Sequence, residues 1–389
     1  MSAGGVATVL VGGDLCPVGR NEPLFRRGDA AGLFHDLLAE FGRADIAVVN
    51  LECPLIRENT PILKTGPVLG AGEESITGIR AAGIDILALA NNHIMDHGPA
   101  GLANTLRVCR ESKVAAVGAG DDLAAARTIL VRELEGVRVG FLAMAEHEFS
   151  IADEDNPGSN PLDVIDFVRN VRENRSRFDV LVVILHAGNE QYPYPRPRLM
   201  DTCRFLVEQG ANAVVCQHSH CAGAMEMYRG APIVYGQGNL LFDLPSRPAG
   251  WYTGFLLCLS VERSGVVGTR VVPFVQSREE AGTRGLAGDE ERVFRAGFEE
   301  RSAAIASPAF VRAQWERFCA QNGDGYLLAL FGHGRVTGRL NRWVPVLRVL
   351  HSRRELRTCL NLVRCESHRE ALLRILSAGA GGGPTQEGR

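Results

Sequence analysis

Five short apolar runs constrain what this chain can fold into: "VATVLVG" (6–12), "IAVV" (46–49), "ILALA" (86–90), "VLVVIL" (180–185) and "AVVC" (213–216). Each is four to seven residues long and rich in branched side chains. Near-continuous apolar runs of that length fit strands buried on both faces. Amphipathic stretches at 28–41, 99–112, 161–177 and 197–209 fill the intervals and read as helices. That alternation predicts a layered α/β fold. Two later segments read as hairpins: 129–144, turning at Glu135-Gly136, and 254–275, turning at Ser264-Gly265. The sheet is therefore expected to be mixed, or to be two sheets stacked on each other.

The texture changes after Val275. "QSREEAGTRGLAGDEERVF" (276–294) is polar and reads as a linker, and helical patterns follow to residue 377. The expected organisation is a catalytic domain over 1–278, a helical region over 279–377 and a disordered tail over 378–389. The helical region is a candidate cap over the site, oligomer surface or partner dock.

Composition enters mainly by exclusion. A net charge of -3 gives no reason to expect nucleic acid binding. No segment reaches the roughly 18 continuous apolar residues that a membrane helix needs. The first residues lack a basic stretch and lead straight into a strand, so no signal peptide is expected. Ten cysteines without an export signal point to reduced thiols and a cytoplasmic location.

The chemistry lies in the polar residues just beyond each run. Asp14 comes after the first, Asn50 and Glu52 after the second, and "NNHIMDHG" (91–98) after the third. "HAGNE" (186–190) comes after the fourth, and "CQHSH" (216–220) closes the fifth. In α/β sheets, ligands bind beyond the carboxyl ends of the strands. Buried carboxylates and imidazoles that converge there need partners, and a metal ion satisfies several at once. Asp14, Glu52, Asn92, His186, His218 and His220 form a mixed oxygen and nitrogen set suited to manganese, iron or zinc. Six ligands exceed the needs of one tetrahedral ion, whereas two divalent ions roughly 3.5–4 Å apart and sharing a carboxylate would use them all. With only Asp14 and Glu52 contributing negative charge, the loaded site would be positive and would attract an anionic substrate. Alternation along an extended backbone would place His218 and His220 on one face.

These motifs resemble those of the capsule-synthesis CapA proteins, within the calcineurin-like metallophosphoesterases. The resemblance spans roughly 6–275 and rests on "GGDLCPVGR" (12–20), "NLECPL" (50–55), "LKTGP" (63–67), "ALANNHIMDHG" (88–98), "ILHAGNE" (184–190), "CQHSH" (216–220) and "IVYGQGNLLFD" (233–243). It implies a four-layer α/β/β/α sandwich with mixed sheets, followed here by a C-terminal helical extension. It also implies a binuclear metal centre that activates a bridging hydroxide against a phosphoester. Asp14 and His220 would serve the first ion, Asn92, His186 and His218 the second, and Glu52 both. His93 would be the acid beside the leaving group, oriented by Asp96. Arg20, Lys64, Asn91, Glu190 and Asn239 would face the substrate. The alternative is a capsule, poly-γ-glutamate or metabolite-assembly component that binds an anionic polymer or acts on an amide bond. The expected partner is a small anionic phosphoester or glutamyl compound.

Departures from the family pattern fall at Cys16, where many phosphoesterases carry histidine, and at Gln217, Gln237 and Leu240. Cys16, Cys53, Cys216 and Cys221 flank the ligands and read either as packing thiols or as oxidation-sensitive groups. "YPYPRPR" (192–198) reads as a rim loop whose Tyr192, Tyr194, Arg196 and Arg198 can meet an anion, or as an ordinary rigid loop. His97 is a candidate support for the site, and His147 and Glu148 are candidate substrate contacts. Cys365 and His368 read as helix-packing residues.

Overall fold

A computed structural model describes residues 5–64, 66–331 and 352–379. In chain order, the strands of its two large sheets are β1 (Ala7–Cys16), β2 (Ile46–Leu51), β3 (Ile86–Ala88), β4 (Ala115–Val117), β5 (Leu130–Leu134), β6 (Val137–Ala145) and β7 (Val180–His186). They continue with β8 (Ala213–Gln217), β9 (Met225–Tyr228), β10 (Ala231–Tyr235), β11 (Asn239–Phe242), β12 (Thr253–Glu262), β13 (Gly265–Gln276) and β14 (Thr283–Gly285). The first sheet runs β14-β13-β12-β1-β2-β3-β4, with β11 also paired to β1. The second runs β9-β10-β8-β7-β6-β5. β1, β2 and β3 are mutually parallel, as are β6, β7 and β8, while the two expected hairpins supply antiparallel pairs.

Side-chain alternation explains the layering. Along β7, Val180, Val182 and Ile184 face the other sheet, while Leu181, Val183 and Leu185 face helices. Along β1, Val9 and Val11 join the core between the sheets and Leu10 the core outside it. The helices are α1 (Glu22–Arg27), α2 (Ala30–Phe34), α3 (Leu38–Arg43), α4 (Ile76–Ala81), α5 (Gly98–Glu111), α6 (Leu123–Ala126), α7 (Val164–Asn174) and α8 (Pro197–Glu208). Phe25, Phe34, Ile79 and Leu102 bring α1, α2, α4 and α5 onto the first sheet. Phe167, Val171, Leu199 and Leu206 bring α7 and α8 onto the second. The result is the four-layer α/β/β/α sandwich.

The C-terminal part contains α9 (Gly288–Ala304), α10 (Pro308–Phe331), α11 (Arg353–Arg364) and α12 (Glu366–Gly379). Two local expectations change here. The stretch read as a linker contributes β14, which pairs with the end of β13 and extends the first sheet. The continuous helical pattern over 354–377 is two helices, because Cys365 between them is extended, with φ -70° and ψ 126°. The expected tail lies, from residue 380 onward, outside the described residues. Among the described residues, no helix is long and apolar enough to cross a membrane.

The first strand also differs from expectation. It does not stop at Gly12-Gly13 but continues to Cys16. A side chain at Gly13 would come within 2.0 Å of the Gly238 carbonyl oxygen, so glycine is what lets β11 approach β1. The pairing of β1 with both β2 and β11 shifts register at Asp14. Such irregularities re-aim side chains next to functional sites.

Candidate metal centre

Asp14, on β1, is fully buried. Its Oδ1 accepts from Asn50 Nδ2 at 2.7 Å, and its Oδ2 accepts from the main-chain N–H of His218 at 3.0 Å. That second bond ties the first sheet to the turn that follows β8 in the second. His218 and His220 sit on this turn with φ of 84° and 51°, beyond the end of the strand at Gln217. Strand alternation therefore does not aim these two rings. A left-handed turn does, and the bond to Asp14 helps to hold its strained backbone.

Glu52, just past β2, is completely buried. His186 Nε2 lies 3.5 Å from its Oε1, and His220 Nε2 lies 3.6 Å from the same oxygen. Neither carboxylate oxygen has a hydrogen-bond partner among the described residues. Donor atoms of Asp14, Glu52 and His220 all lie within 4.8 Å of one another, and so do those of Glu52, His186 and His218. Two ligand atoms on one tetrahedral ion, each roughly 2.0–2.2 Å from it, stand about 3.3–3.5 Å apart. The separations around Glu52 are thus long for hydrogen bonds but close to those of ligands that share an ion. An orphaned buried carboxylate between two histidine-bearing groups fits two cations with Glu52 in common.

The electrostatics agree with the geometry. Burial pushes the Glu52 carboxyl well above the usual range, only partly opposed by His220. Burial pulls His186 well below the ordinary imidazole value, assisted by His218 and His220. Burial would also lower His220, but Glu52 and Asp14 outweigh it and lift the ring to about 10.

Asn92 Oδ1 lies 3.1 Å from His186 Nε2, and its amide nitrogen donates to Glu148 Oε2 at 3.3 Å. His93 Nδ1 contacts Asp96 Oδ2 at 2.7 Å. Lys64 Nζ donates to Asp96 Oδ1 at 2.5 Å and lies 3.2 Å from His93 Nδ1. A cleft of about 210 Å³ opens over these groups, with Lys64, Asn92, His93, Glu190 and His220 in its walls.

Three expected substrate contacts lie elsewhere. Arg20 forms a two-pronged pair with Asp243, with Nη2–Oδ1 at 2.8 Å and Nε–Oδ2 at 2.9 Å, and also donates to the Ser277 and Glu279 carbonyls. It fastens the turn after β1 to the segments that follow β11 and β13. Asn91 is fully buried, donating to the Leu51 carbonyl at 2.7 Å and accepting from the His93 main chain at 3.1 Å. Asn239 Oδ1 lies 2.8 Å from His220 Nδ1, so this residue orients a proposed ligand from behind. His97 Nδ1 accepts from the Thr60 main chain at 3.0 Å and holds a loop.

The proline-rich segment also takes a different role. Tyr192 and Tyr194 pack against Trp315, Phe318 and Phe310 of α10. Arg196 is buried between Glu146 and Glu370. This loop binds the C-terminal helices instead of offering charge to a ligand. Cys16, Cys53, Cys216 and Cys221 are buried free thiols, and burial pushes Cys221 up to about 12. Asn361 and His368 line the cleft, and Glu148 joins them. Cys365 is fully buried, as its packing reading expects, whereas His368 lines the cleft, which the helical pattern gave no sign of.

The family model "Bacterial capsule synthesis protein PGA_cap" matches residues 8–244. The capsule biosynthesis protein CapA of Bacillus anthracis is 27% identical over 245 residues, covering 61% of this chain and 60% of that protein. The PGA biosynthesis protein CapA of Bacillus subtilis (strain 168) is 29% identical over 227 residues, covering 57% of this chain and 60% of that protein. The chain thus spans about 60% of the length of the curated relatives it matches. Among solved structures, the calcineurin-like phosphoesterase YfkN from Bacillus subtilis aligns over 69% of this chain and 90% of that one, at 13% identity and a TM-score of 0.40. Helices α9 to α12 lie beyond the span of the family model.

Proposed function

The chain belongs to the bacterial capsule synthesis protein PGA_cap family, and from that premise we propose that it is a metal-dependent hydrolase of a small anionic phosphoester. The observation that carries this reading is Glu52, whose two buried oxygens have no hydrogen-bond partner among the described residues and stand between two histidine-bearing groups. Asp14, Glu52 and His220 would hold one divalent ion, and Glu52, Asn92, His186 and His218 a second. When bound, such ions make water nucleophilic near neutral pH and neutralise charge building on the attacked group.

The remaining roles fall to the chain's own groups. Asp96 fixes the His93 ring through Nδ1, which leaves Nε2 to hand a proton to the departing oxygen. Lys64 pairs with Asp96 and adds positive charge beside that oxygen. Trp251 packs its ring 4.7 Å from His220, and Arg247 lies 4.8 Å over the Trp251 ring at the cleft mouth, where it would meet an anion.

A second reading comes from the relatives' names, which refer to capsule and PGA biosynthesis. On this reading the same centre would bind an anionic polymer or cleave an amide. Metal analysis together with panels of phosphoesters and glutamyl amides separates the two. The phosphoesterase reading expects metal-dependent turnover of phosphoesters that His218→Ala and Asp14→Ala abolish while circular dichroism stays unchanged. Full turnover by His218→Ala, or turnover of amides alone, overturns it.

A further inference from the structure

The cleft carries a second set of metal-ligating groups, made partly from the helices beyond the family model. Donor atoms of Glu148, Cys365 and His368 all lie within 4.8 Å of one another. Glu148 follows β6, whereas Cys365 sits at the break between α11 and α12 and His368 lies one turn further on. We propose that these three residues form a third metal site, which takes one zinc ion and clips α12 to the wall of the cleft.

Three features carry the proposal. The ligand set is one thiolate, one imidazole and one carboxylate, a combination that favours zinc over the harder ions suited to oxygen-rich sites. The spacing also fits. Cys365 Sγ lies 3.9 Å from Glu148 Oε1, which is too far for a good hydrogen bond. A tetrahedral zinc ion with sulfur at about 2.3 Å and oxygen at about 2.0–2.2 Å holds the two roughly 3.5 Å apart. Finally, the surroundings hold the ligands in place. Glu366, beside Cys365, pairs with His147 at 2.6 Å, and Glu370 pairs with Arg196 at 3.1 Å. Asn92 donates to the other oxygen of Glu148 at 3.3 Å.

Charge balances when the ion enters. The Cys365 thiol gives its proton to solvent, and one thiolate and one carboxylate neutralise a divalent ion. Three protein ligands leave a fourth position toward the cleft, as in zinc sites that keep one place open. His218 Nε2 lies 3.9 Å from Glu148 Oε1, so the third ion would sit beside the two proposed above. The C-terminal helices would then complete the site chemically as well as cover it.

Cobalt(II) titration of the full-length, metal-stripped protein tests this. A thiolate bound to cobalt gives a near-ultraviolet charge-transfer band that imidazole and carboxylate ligands do not. The wild type should show that band and retain one more equivalent of cobalt than Cys365→Ser. Cys365→Ser should lose the band, and His368→Gln should weaken cobalt binding at this site at least tenfold. Glu52→Gln should keep the band while losing the other ions, so failure of the two-ion reading is told apart from failure of this one. If circular dichroism shows that Cys365→Ser unfolds, His368→Gln keeps the buried thiol and carries the comparison. A wild type without the band, or a Cys365→Ser protein with the same band and stoichiometry, overturns the proposal.

Discussion

Gln217 Nε2 lies 3.2 Å from Gln237 Oε1, and the contact spans the gap between the two sheets directly behind the metal centre. Gln217 also donates to the Gly12 carbonyl at 2.8 Å, and Gln237 donates to the Val11 carbonyl at 2.9 Å. The two amides form one buried network that pins β1, which carries Asp14, to the end of β8, which leads into His218.

Gln217→Leu removes the donor and leaves the Gly12 carbonyl and Gln237 Oε1 buried without it. Each orphaned group costs about 1–3 kcal/mol. Urea unfolding of the metal-free protein should show a loss of about 2–4 kcal/mol, and Gln237→Leu should show a similar one. The double variant should lose clearly less than the sum, because both single changes break the same network. Additive losses would mean that the two amides act independently.

Glu52→Gln should have opposite effects in the two metal states. Without ions, both oxygens of the buried wild-type carboxyl lack a hydrogen-bond partner among the described residues and burial disfavours its ionised form, so a neutral amide of the same shape costs little. The metal-free variant should therefore melt at the same temperature as the wild type or higher. Adding manganese or zinc should raise the wild-type melting temperature and leave the variant nearly unmoved, since ligands that bind the native state stabilise it by mass action. A variant that gains as much from metal as the wild type would show that Glu52 holds no ion.

Asp96→Asn tests the proton donor without touching a proposed ligand. Asp96 accepts from the Leu69 main chain at 2.7 Å, from Lys64 and from the His93 ring. Burial lowers the His93 ring, and the Asp96 carboxylate works against that. An amide in its place leaves the ring less basic and less firmly oriented. With a nitrophenyl phosphate ester, kcat should fall about 10²–10⁴-fold while KM changes little. A fall in KM alone, or loss of bound metal, would assign Asp96 a different role.

The framework was readable because strands buried on both faces leave an unmistakable apolar signature. Val180 to Leu185 are all buried, half of them against each neighbouring layer. The polar residues after those strands were equally visible. What could not be read was direction. Arg20 looks like a substrate contact until Asp243, more than two hundred residues away, takes its guanidinium. Asn239 looks the same until the fold sets it behind His220. The His218 and His220 rings are aimed by positive φ angles that strand periodicity cannot encode. Cys365 and His368 lie at a helix break, where an amphipathic pattern gives no hint that the chain turns them toward Glu148.

The Arg20–Asp243 pair sets a pH dependence away from the proposed ligands. Burial alone would raise the Asp243 carboxyl, but the Arg20 side chain and main-chain N–H outweigh it and hold it below its usual value. A carboxyl lowered on folding stabilises the native state above its unfolded value of about 4, and that contribution is lost as the pH falls through the lower folded value. Arg20 is 47% exposed, so solvent screens the pair and the effect is modest. Urea midpoints should place Asp243→Asn below the wild type at neutral pH. The gap should narrow steadily as the pH falls below about 4. A gap that stays constant down to about pH 2 would exclude this carboxyl as the source.

Arg196→Met should release the C-terminal helices from the sandwich. Arg196 is 2% exposed and stands between Glu146, which follows β6, and Glu370, on α12. Glu146 also accepts from the Gly188 main chain at 3.2 Å. Removing the guanidinium leaves two acidic groups close together with no cation between them, and breaking a buried pair from one side costs about 3–5 kcal/mol. Separating α12 from the sandwich is the least costly relief, because it carries Glu370 into water and leaves the sheets intact. Hydrogen exchange should therefore rise strongly in peptides of α12 and the loop at 192–198, with β6 and β7 still protected. Glu370→Gln in the same chain should restore much of the protection, since it removes one of the two unpaired charges. Uniform loss of protection across both sheets would instead mean that Arg196 supports the whole sandwich.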